Sequence, residues 1–274
     1  MAIIVTGAAG FIGSAYITYL NKVEPDKKII AIDKDNLDNL SAKNLNNLKL
    51  TNYMSDSEFI NKVVHGSCYT PSIESIIHFG ATSTTTETNF KLILENNFRY
   101  SKCLANFCKN QKIPFIYASS AATYGNGKRF DDSMTPDECS PISIYSFFKN
   151  LFDKWIIENE VPSLCLKYFN VFGPNEYHKE SMISFILRTF NELYNWKTEN
   201  PIIIYNDENH KYGRDFIYIK DAVKMTYFLI KNNKRGIYNI GTGITTNWID
   251  VYKIICKVLD INHSYKIDEN PFND

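Results

Sequence analysis

The sequence has no surplus of charge of either sign. Its 274 residues include 30 Lys and Arg and 30 Asp and Glu, giving a formal net charge of zero, and it has no long run of like charge. Nucleic-acid-binding domains usually concentrate basic residues on one surface, so we expect no nucleic-acid partner. No apolar segment reaches the roughly 18 residues that a membrane-spanning helix needs, so we also expect no membrane partner.

Paired cysteine motifs are missing as well. The six cysteines include no CxxC and no zinc-like spacing, so we predict reduced thiols and no metal site. The N-terminal stretch MAIIVTGAAGFIG lacks the basic residues of a secretory signal, and its glycines interrupt the apolar run. These features predict a cytoplasmic protein.

Short apolar runs do alternate with helical patterns. The predicted strands are residues 2–7, 28–33, 75–81, 114–120 and 163–169, and the predicted helices lie near 11–22, 57–65, 90–110 and 143–160. The strands are continuous and rich in β-branched residues, as in parallel sheets covered on both faces. We therefore predict an α/β fold, with a Rossmann-type doubly wound parallel sheet and a smaller C-terminal lobe.

The domain boundary is placed at residue 170. Residues 1–170 would form the NAD(P)-binding domain, to which a segment of about 214–240 returns, and 171–274 would mainly form a substrate-binding lobe. The later part contains helical patterns at 182–195, 219–232 and 247–259, short strands within 201–218 and a strand at 236–241. The Asn-rich stretch 34–49 has no clear periodicity, and its structure is left open.

A glycine-rich loop follows the first predicted strand. Gly7, Gly10 and Gly13 have the spacing GxxGxxG, and Phe11 and Ile12 stand between the last two. Glycines let the backbone approach a pyrophosphate, and a helix N-terminus offers free N–H groups and a positive dipole end. This context predicts a dinucleotide site.

The end of the second strand predicts the ribose contact. Asp33 stands there, where a carboxylate can accept hydrogen bonds from the adenosine ribose. A carboxylate alone favours NAD, because it repels a 2′-phosphate. Lys34 and Lys43 are nearby cations that offset this preference.

Three Tyr–Lys pairs have the i,i+4 spacing of a helix face. Tyr124/Lys128 spans YGNGK, which is a loop by composition, and Tyr227/Lys231 is explained by a core-edge Tyr and a surface Lys. Tyr145/Lys149 opens a helix that follows the strand carrying Ser119 and Ser120.

This third pair is the catalytic candidate. The carboxyl ends of parallel strands line the ligand crevice, so the two serines would meet substrate there. Tyr145 would transfer a proton, and Lys149 would lower the pKa of its phenol and hold the nicotinamide ribose. A core role for Tyr145 is the competing interpretation, since its helix carries an apolar stripe.

These motifs resemble the extended short-chain dehydrogenase/reductase superfamily, which combines GxxGxxG, a serine at a strand end and YxxxK. Longer stretches resemble the ADP-heptose 6-epimerases within it, and these are HFGATSTTTE (78–87), ENNFRYSK (95–102), PFIYASSAATYG (114–125), YFNVFGPNEYHKESM (168–182) and RDFIYIKD (214–221). The resemblance implies an NADP-dependent, redox-neutral inversion at C6 of ADP-glycero-manno-heptose through a transient ketone. It also implies a homo-oligomer.

The resemblance assigns further residues. Lys179 would be the second acid/base group and would also contact the cofactor. Other implied cofactor contacts are Phe79, Gly80, Ala81, Thr82, Ser83, Asn96 and Val171. The implied substrate contacts, beyond the serines, are Asn170, Ser181, Arg188 and Arg214.

Three features depart from the family pattern. Arg188 stands where the family has a His, and Asp56 stands where it has a Lys near the 2′-phosphate. The sequence also ends before the family's usual last segment, which carries a substrate-contacting Tyr.

Alternative functions stay open. A UDP-hexose 4-epimerase would use the same Ser, Tyr and Lys and would usually hold NAD. A 4,6-dehydratase is disfavoured, because SSAATYG offers no acid. A non-catalytic NAD(P)-binding regulator would not need Ser120, Tyr145 and Lys149 together.

Overall fold

A seven-stranded parallel sheet forms the centre of the computed structural model. The structure describes residues 1–66, 73–127, 129–195, 197–205 and 213–268, without the side chains of residues 180, 181 and 205. In spatial order, the strands are β10 (Gly236–Ile240), β6 (Ser163–Tyr168), β5 (Phe115–Ser120), β4 (Ile73–His78), β1 (Ala2–Thr6), β2 (Lys28–Asp33) and β3 (Asn52–Ser55). The predicted Rossmann-type architecture is confirmed.

Apolar residues cover both faces of this sheet, which explains the lack of alternation in the strand sequences. Every residue of β1 and of β6 is buried. Within β1, Ile3 and Val5 belong to one core cluster and Ile4 to the other.

Helices pack on the two faces. They are α1 (Phe11–Val23), α2 (Asn39–Lys43), α3 (Asp56–Val64), α4 (Phe90–Ile93), α5 (Tyr100–Gln111), α6 (Ile144–Glu158), α7 (Phe185–Phe190), α8 (Ile219–Lys231) and α9 (Trp248–Leu259). Buried residues of α1 and α8 share the core cluster of Ile3, whereas those of α3, α5 and α6 share that of Ile4. A π-helical segment, Leu94–Arg99, joins α4 to α5.

Two small sheets belong to the later part of the chain. One has the order β11 (Thr245–Asn247), β9 (Gly213–Tyr218), β7 (Asn170–Phe172), and the other pairs β12 (Tyr265–Asp268) with β8 (Ile202–Tyr205). A separate core cluster, which includes Leu193, Ile204 and Tyr252, packs α9 against β8. The segment 214–240 is shared, because β9 joins a small sheet whereas β10 pairs with β6 of the central sheet.

The structure differs from the sequence-based expectations in its short elements. The predicted strand 75–81 ends at His78, so Phe79 to Ala81 lie beyond the strand end. The open segment 34–49 contains α2, which Asp38 caps by accepting hydrogen bonds from two backbone N–H groups. β3, β7, β11 and β12 have only three or four residues each, too few for a periodic signal.

Within the described residues, no helix is both long enough and apolar enough to cross a membrane. The same part of the chain contains no group of three or more His, Cys, Asp or Glu side chains that could hold a metal ion.

Candidate active site

The carboxyl ends of four neighbouring strands meet at one edge of the central sheet. The glycine-rich loop follows β1, residues 79–83 follow β4, Ser120 ends β5, and Asn170 begins β7 just after β6. This edge is where open parallel sheets bind ligands, and it gathers most of the predicted site residues.

The glycine-rich loop packs directly against the loop after β4. Gly7 has φ of +67°, and a Cβ there would lie 2.6 Å from the Gly80 nitrogen. A Cβ on Gly13 would lie 2.1 Å from the Gly7 carbonyl oxygen. α1 then begins at Phe11 with Gly10 as its N-cap, which has no side chain to cover the first-turn N–H groups. The cradle therefore fits the pyrophosphate of a dinucleotide.

Asp33 lies beside this cradle. One carboxylate oxygen accepts a 2.7 Å hydrogen bond from the Ala9 nitrogen, and the other accepts a 2.9 Å bond from the Lys34 nitrogen. These bonds join the end of β2 to the glycine-rich loop. The Asp33 carboxylate thus lies where the sequence predicted a ribose contact.

The predicted cofactor residues after β4 are held by the π-helical segment. The Asn96 amide donates to the Thr82 hydroxyl at 3.0 Å. Asn97, which the sequence did not single out, accepts from the Thr82 nitrogen at 2.7 Å and donates to its carbonyl at 2.9 Å. Residues 79–83 therefore have a fixed backbone next to Gly7.

The first turn of α6 carries Tyr145. Ser143 and Ser146 form reciprocal hydrogen bonds, with the Ser146 nitrogen donating to the Ser143 hydroxyl at 3.1 Å and the Ser143 nitrogen donating to the Ser146 hydroxyl at 3.0 Å. This pattern fixes the start of the helix. Tyr145 and Lys149 consequently lie on one helix face, and both are buried.

Lys149 contacts the strand that carries the serines. Its Nζ donates a 2.7 Å hydrogen bond to the Ala118 carbonyl, and it lies 6.0 Å from the centre of the Tyr145 ring. Ser120 is half-buried, and its hydroxyl lies near enough to the Tyr145 phenol to lower the pKa of that group. The structure therefore brings Ser120, Tyr145 and Lys149 together.

The two neighbouring serines differ in direction, because successive side chains of a strand face opposite sides of the sheet. The Ser119 hydroxyl is buried and donates a 2.7 Å hydrogen bond to Asp153. Ser119 was predicted to contact substrate. In this structure its hydroxyl instead points into the interior and bonds to Asp153.

Burial controls the protonation of the pair. It raises the pKa of Tyr145 to about 12, an effect that the Ser120 hydrogen bond opposes and the charge of Asp153 reinforces. Burial also lowers the pKa of Lys149 to about 8, against the charge of Asp153. The expected lowering of the Tyr145 pKa by Lys149 is therefore wrong for this arrangement, since spacing alone does not reveal the desolvation of the phenol.

The competing Tyr–Lys pairs have other surroundings. Lys231 forms a 2.7 Å ion pair with Glu24 and lies 5.5 Å from the Tyr227 ring centre. A cavity of about 300 Å³ beside them is lined by residues at the starts of β1, β5 and β6, at the opposite edge of the sheet. The buried Tyr124 hydroxyl donates to the Asn239 side chain at 2.8 Å, and Lys128 lies outside the described residues.

Lys179 lies against the glycine-rich loop. It belongs to the 3-10 segment Tyr177–Met182, and its Nζ is 4.8 Å from the centre of the Phe11 ring. Burial lowers the pKa of Lys179, which the charge of Glu176 opposes.

Two residues missed in the sequence fix the Lys179 loop. The Asn44 amide donates to the Ala9 carbonyl at 3.0 Å and to the Asn175 carbonyl at 3.1 Å. Glu176 accepts hydrogen bonds from the backbone nitrogens of Gly173 and Ser184. Only the contacts in the fold distinguish this Asn and this Glu from others in polar loops.

The two predicted substrate arginines flank an aromatic pair. The rings of Phe185 and Trp248 meet edge to face at 4.9 Å between centres. The Arg188 guanidinium lies 5.4 Å from the Phe185 ring centre, and that of Arg214 lies 5.8 Å from the Trp248 ring centre. Burial lowers the pKa of Arg214. Trp248 was not predicted from the sequence.

The remaining predicted residues lie at the edge between the sheets. Asn170 and Val171 are in β7, where they pair with Phe216 and Ile217 of β9. Ser181 lies in the 3-10 segment after Lys179, but its side chain lies outside the described part of the chain.

The fold and this site define an NAD(P)-dependent enzyme of the extended short-chain dehydrogenase/reductase type. The glycine-rich cradle has a shape that fits a dinucleotide pyrophosphate, and Ser120, Tyr145 and Lys149 lie at the same edge of the sheet. The chain belongs to the NAD dependent epimerase/dehydratase family, whose model matches residues 3–241.

Known proteins agree with this assignment. An ADP-L-glycero-D-manno-heptose-6-epimerase of Fusobacterium nucleatum is 38% identical over 282 residues, covering 98% of this chain and 82% of the relative. The crystal structure of the Helicobacter pylori ADP-L-glycero-D-manno-heptose-6-epimerase aligns with a TM-score of 0.83 at 27% identity, covering 98% of this chain and 86% of the other.

A 4-epimerase is nearly as similar in structure. The UDP-N-acetylglucosamine 4-epimerase of Methanobrevibacter ruminantium aligns with a TM-score of 0.82 at 26% identity, over 98% of this chain and 86% of the other.

Proposed function

We propose that this protein inverts C6 of ADP-glycero-manno-heptose. The observation that carries the proposal is the meeting of Ser120, Tyr145 and Lys149 beside a dinucleotide cradle. The substrate is chosen because a curated relative of that activity is 38% identical over 98% of this chain.

The protein side chains would supply the proton transfers. The dinucleotide held by the glycine-rich cradle would supply reversible hydride transfer at the reacting carbon. Tyr145, with its pKa of about 12, is protonated at neutral pH and suits proton donation to a carbonyl oxygen. Ser120 would hold that oxygen, and the Lys149 ammonium would stabilise a phenolate during the reverse transfer.

Inversion requires the ketone intermediate to turn its other face toward the dinucleotide before hydride returns. Because its oxygen then points in a different direction, a second acid/base group is needed on that side. We propose Lys179 for this role. Burial lowers its pKa, which makes the neutral amine more accessible near working pH. Its position over Phe11 also places it beside the cofactor cradle.

The later segments would form the substrate-binding lobe. Arg188 and Arg214 flank Phe185 and Trp248, an arrangement that offers two guanidinium groups for a pyrophosphate and aromatic surface for a nucleoside. The division at residue 170 and the substrate roles of Asn170 and Ser181 stay predictions.

For the cofactor, the resemblance implies NADP, but the charges around Asp33 favour NAD, and we propose NAD. Asp33 and Asp35 raise the pKa of Asp56, as burial does, so the three carboxylates lie close enough to repel one another. Lys34 is the cation that acts against them. A 2′-phosphate carries up to two further negative charges and would meet this acidic group.

Self-association is a further proposal. Phe90 of α4 and Phe147 of α6 are 56% and 48% exposed, and both pack against Phe148, at 5.0 and 5.5 Å between ring centres. Contiguous exposed aromatics are typical of interfaces. Light scattering of Phe147→Ser beside the native protein tests it, and an unchanged mass would contradict it. The cytoplasmic location stays a prediction.

Incubation with ADP-D-glycero-D-manno-heptose and with UDP-galactose, followed by NMR, tests the activity. We expect inversion at C6 of the first substrate only. Turnover of UDP-galactose alone would establish the 4-epimerase alternative. If the protein turns over neither substrate although mass spectrometry confirms bound dinucleotide, the result would favour the non-catalytic regulator.

A further inference from the structure

A buried ion pair lies behind the candidate active site. Asp153 of α6 stands one helical turn after Lys149, and Lys167 lies in β6. Both side chains are fully buried, and the Lys167 Nζ is 3.9 Å from an Asp153 carboxylate oxygen. Buried ion pairs contribute little net stability compared with well-packed apolar residues, so stability alone does not account for this pair.

The Asp153 carboxylate is held by hydroxyl groups of the strand that carries the serines. One oxygen accepts a 3.0 Å hydrogen bond from the Tyr117 hydroxyl, and the other accepts a 2.7 Å bond from the Ser119 hydroxyl. Burial raises the pKa of Asp153, and the Lys167 ammonium and the two hydroxyl donors act against burial by favouring the charged carboxylate.

Lys167 completes the cluster from the next strand. It pairs in register with Ser119, its Nζ lies 4.2 Å from the Tyr124 ring centre, and it donates to the Cys139 sulfur at 3.6 Å. Strands β5 and β6 and helix α6 are thus joined at one buried point.

This point lies next to the predicted catalytic groups. Ala118, whose carbonyl accepts from Lys149, and Ser120 immediately flank Ser119, which donates to Asp153. The charge of Asp153 also raises the pKa of Lys149, against the effect of burial. Asp153 therefore affects the position of the β5 end, through Ser119, and the protonation of Lys149.

We propose that Asp153 is a positioning residue, which anchors the end of β5 to α6 and supplies the fixed negative charge behind Lys149. Because its side chain is fully buried, Asp153 would act through β5 and Lys149 rather than on a bound molecule. The reaction it serves is the one proposed above, so this inference rests on that function, but its position and charge effects are measurable without substrate.

The charged groups around Lys149 determine how its pKa should change when Asp153 is replaced. The ionisable groups that act on it or on Asp153 are Asp153 and Tyr145 of α6, Tyr117 of β5, Cys165 and Lys167 of β6, and His78 of β4. His78 is buried with a pKa of about 3 and stays neutral above pH 5. Removing the negative charge of Asp153 should therefore lower the pKa of Lys149, by about one unit.

The test uses Asp153→Asn and the double variant Asp153→Asn/Lys167→Met. The double variant removes both charges and avoids a buried unpaired ammonium. Nitrogen-15 NMR of lysine-labelled holoprotein, with Lys149→Met to assign the signal, reports the pKa of Lys149 without substrate. In turnover assays of Asp153→Asn, we expect kcat to fall about tenfold with a smaller change in KM. The basic limb of the pH–rate profile should move to lower pH.

The outcomes separate a positioning role from a structural one. A folded double variant that retains the low kcat and the lowered Lys149 pKa supports the proposal. Recovery of native kcat and native Lys149 pKa in the double variant would overturn it, and so would failure of both variants to fold, because Asp153 would then be a core residue only. An inactive native protein would refute the proposed epimerase activity, whereas the Lys149 titration would still decide this inference.

Discussion

The Lys149 ammonium lies 6.0 Å from the centre of the Tyr145 ring, while its hydrogen bond goes to the Ala118 carbonyl at 2.7 Å. The i,i+4 spacing brings the two side chains to one helix face. The hydrogen bond to Ala118, near the end of β5, then sets the direction of the Lys149 ammonium. Without a direct bond to this cation, the buried phenol has a raised pKa. Tyr227 has a similar distance to its lysine, 5.5 Å, but that lysine pairs with Glu24. What separates Tyr145 is its burial beside the strand that carries the serines.

Tyr145→Phe should abolish turnover and leave the dinucleotide bound. The phenol transfers a proton, and loss of such a group costs about 100-fold to 10,000-fold in rate. Turnover is measured by NMR and bound dinucleotide by mass after denaturation. Tyr227→Phe is the matched control, because Tyr227 has the same spacing to its lysine but lies beside Glu24 at the other edge of the sheet. Equal effects of the two substitutions would show that the wrong pair was chosen.

Gly13→Ala should prevent dinucleotide binding. The added Cβ would lie 2.1 Å from the Gly7 carbonyl oxygen, so the cradle must open to admit it. Calorimetric titration of the apoprotein with NAD measures the effect. Gly66→Asn is the control, since a Cβ at Gly66 meets nothing within 4 Å and Asn tolerates the positive φ there. Native affinity in Gly13→Ala would contradict the assignment of this loop.

Asp56→Lys combined with Asp33→Asn should shift cofactor preference from NAD toward NADP. The change removes two carboxylates near the ribose position and adds a cation that can pair with a 2′-phosphate. We expect the ratio of the two Kd values to change by tenfold or more, equivalent to about 1.4 kcal/mol. Asp250→Asn, in the first turn of α9, is the control. Release of NADP from the native protein on denaturation would refute the NAD assignment.

Stability should fall as the pH decreases below about 6.5, because His78 is neutral in the fold. Its ring lies between the Thr6 and Ser101 hydroxyls, at 2.7 and 2.8 Å, and burial lowers its pKa from 6.5 to about 3. Between these values the unfolded chain binds the additional proton, so stability decreases with falling pH by up to about 1.4 kcal/mol per pH unit.

Urea unfolding at several pH values measures this slope. Replacement of His78 by Asn should flatten it, even if the overall stability is lower. The exposed His65 provides the control substitution, His65→Asn, which should leave the slope unchanged. The prediction fails if both variants retain the native slope.

The sequence predicts the large elements and the main site because strong local patterns specify them. The sequence pattern identified six of the seven strands of the central sheet, all except β3, and glycine spacing after β1 located the cradle. The spacing of Tyr145 and Lys149 placed both on one helix face. Strands of three or four residues, such as β7 and β11, carry no comparable pattern and form only when their partners are present.

What the sequence could not provide depends on tertiary contact. Strand alternation sends the two serines to opposite sides of the sheet, but only the contact with Asp153 shows that Ser119 is the one that faces the interior. Asn44 likewise has a role only because the fold brings it to the Ala9 and Asn175 carbonyls. Trp248 reaches Arg214 across elements that are distant along the chain. The raised pKa of Tyr145 likewise reflects burial, which no spacing encodes.

Turnover of ADP-D-glycero-D-manno-heptose in deuterated water, followed by NMR at C6, tests the central claim most directly. If Tyr145 moves only the hydroxyl proton and the bound dinucleotide returns hydrogen to the same carbon, C6 inverts without gaining deuterium. Deuterium at C6 would indicate direct proton abstraction from carbon and contradict the account. Absence of inversion by holoprotein with intact Tyr145 would contradict it equally.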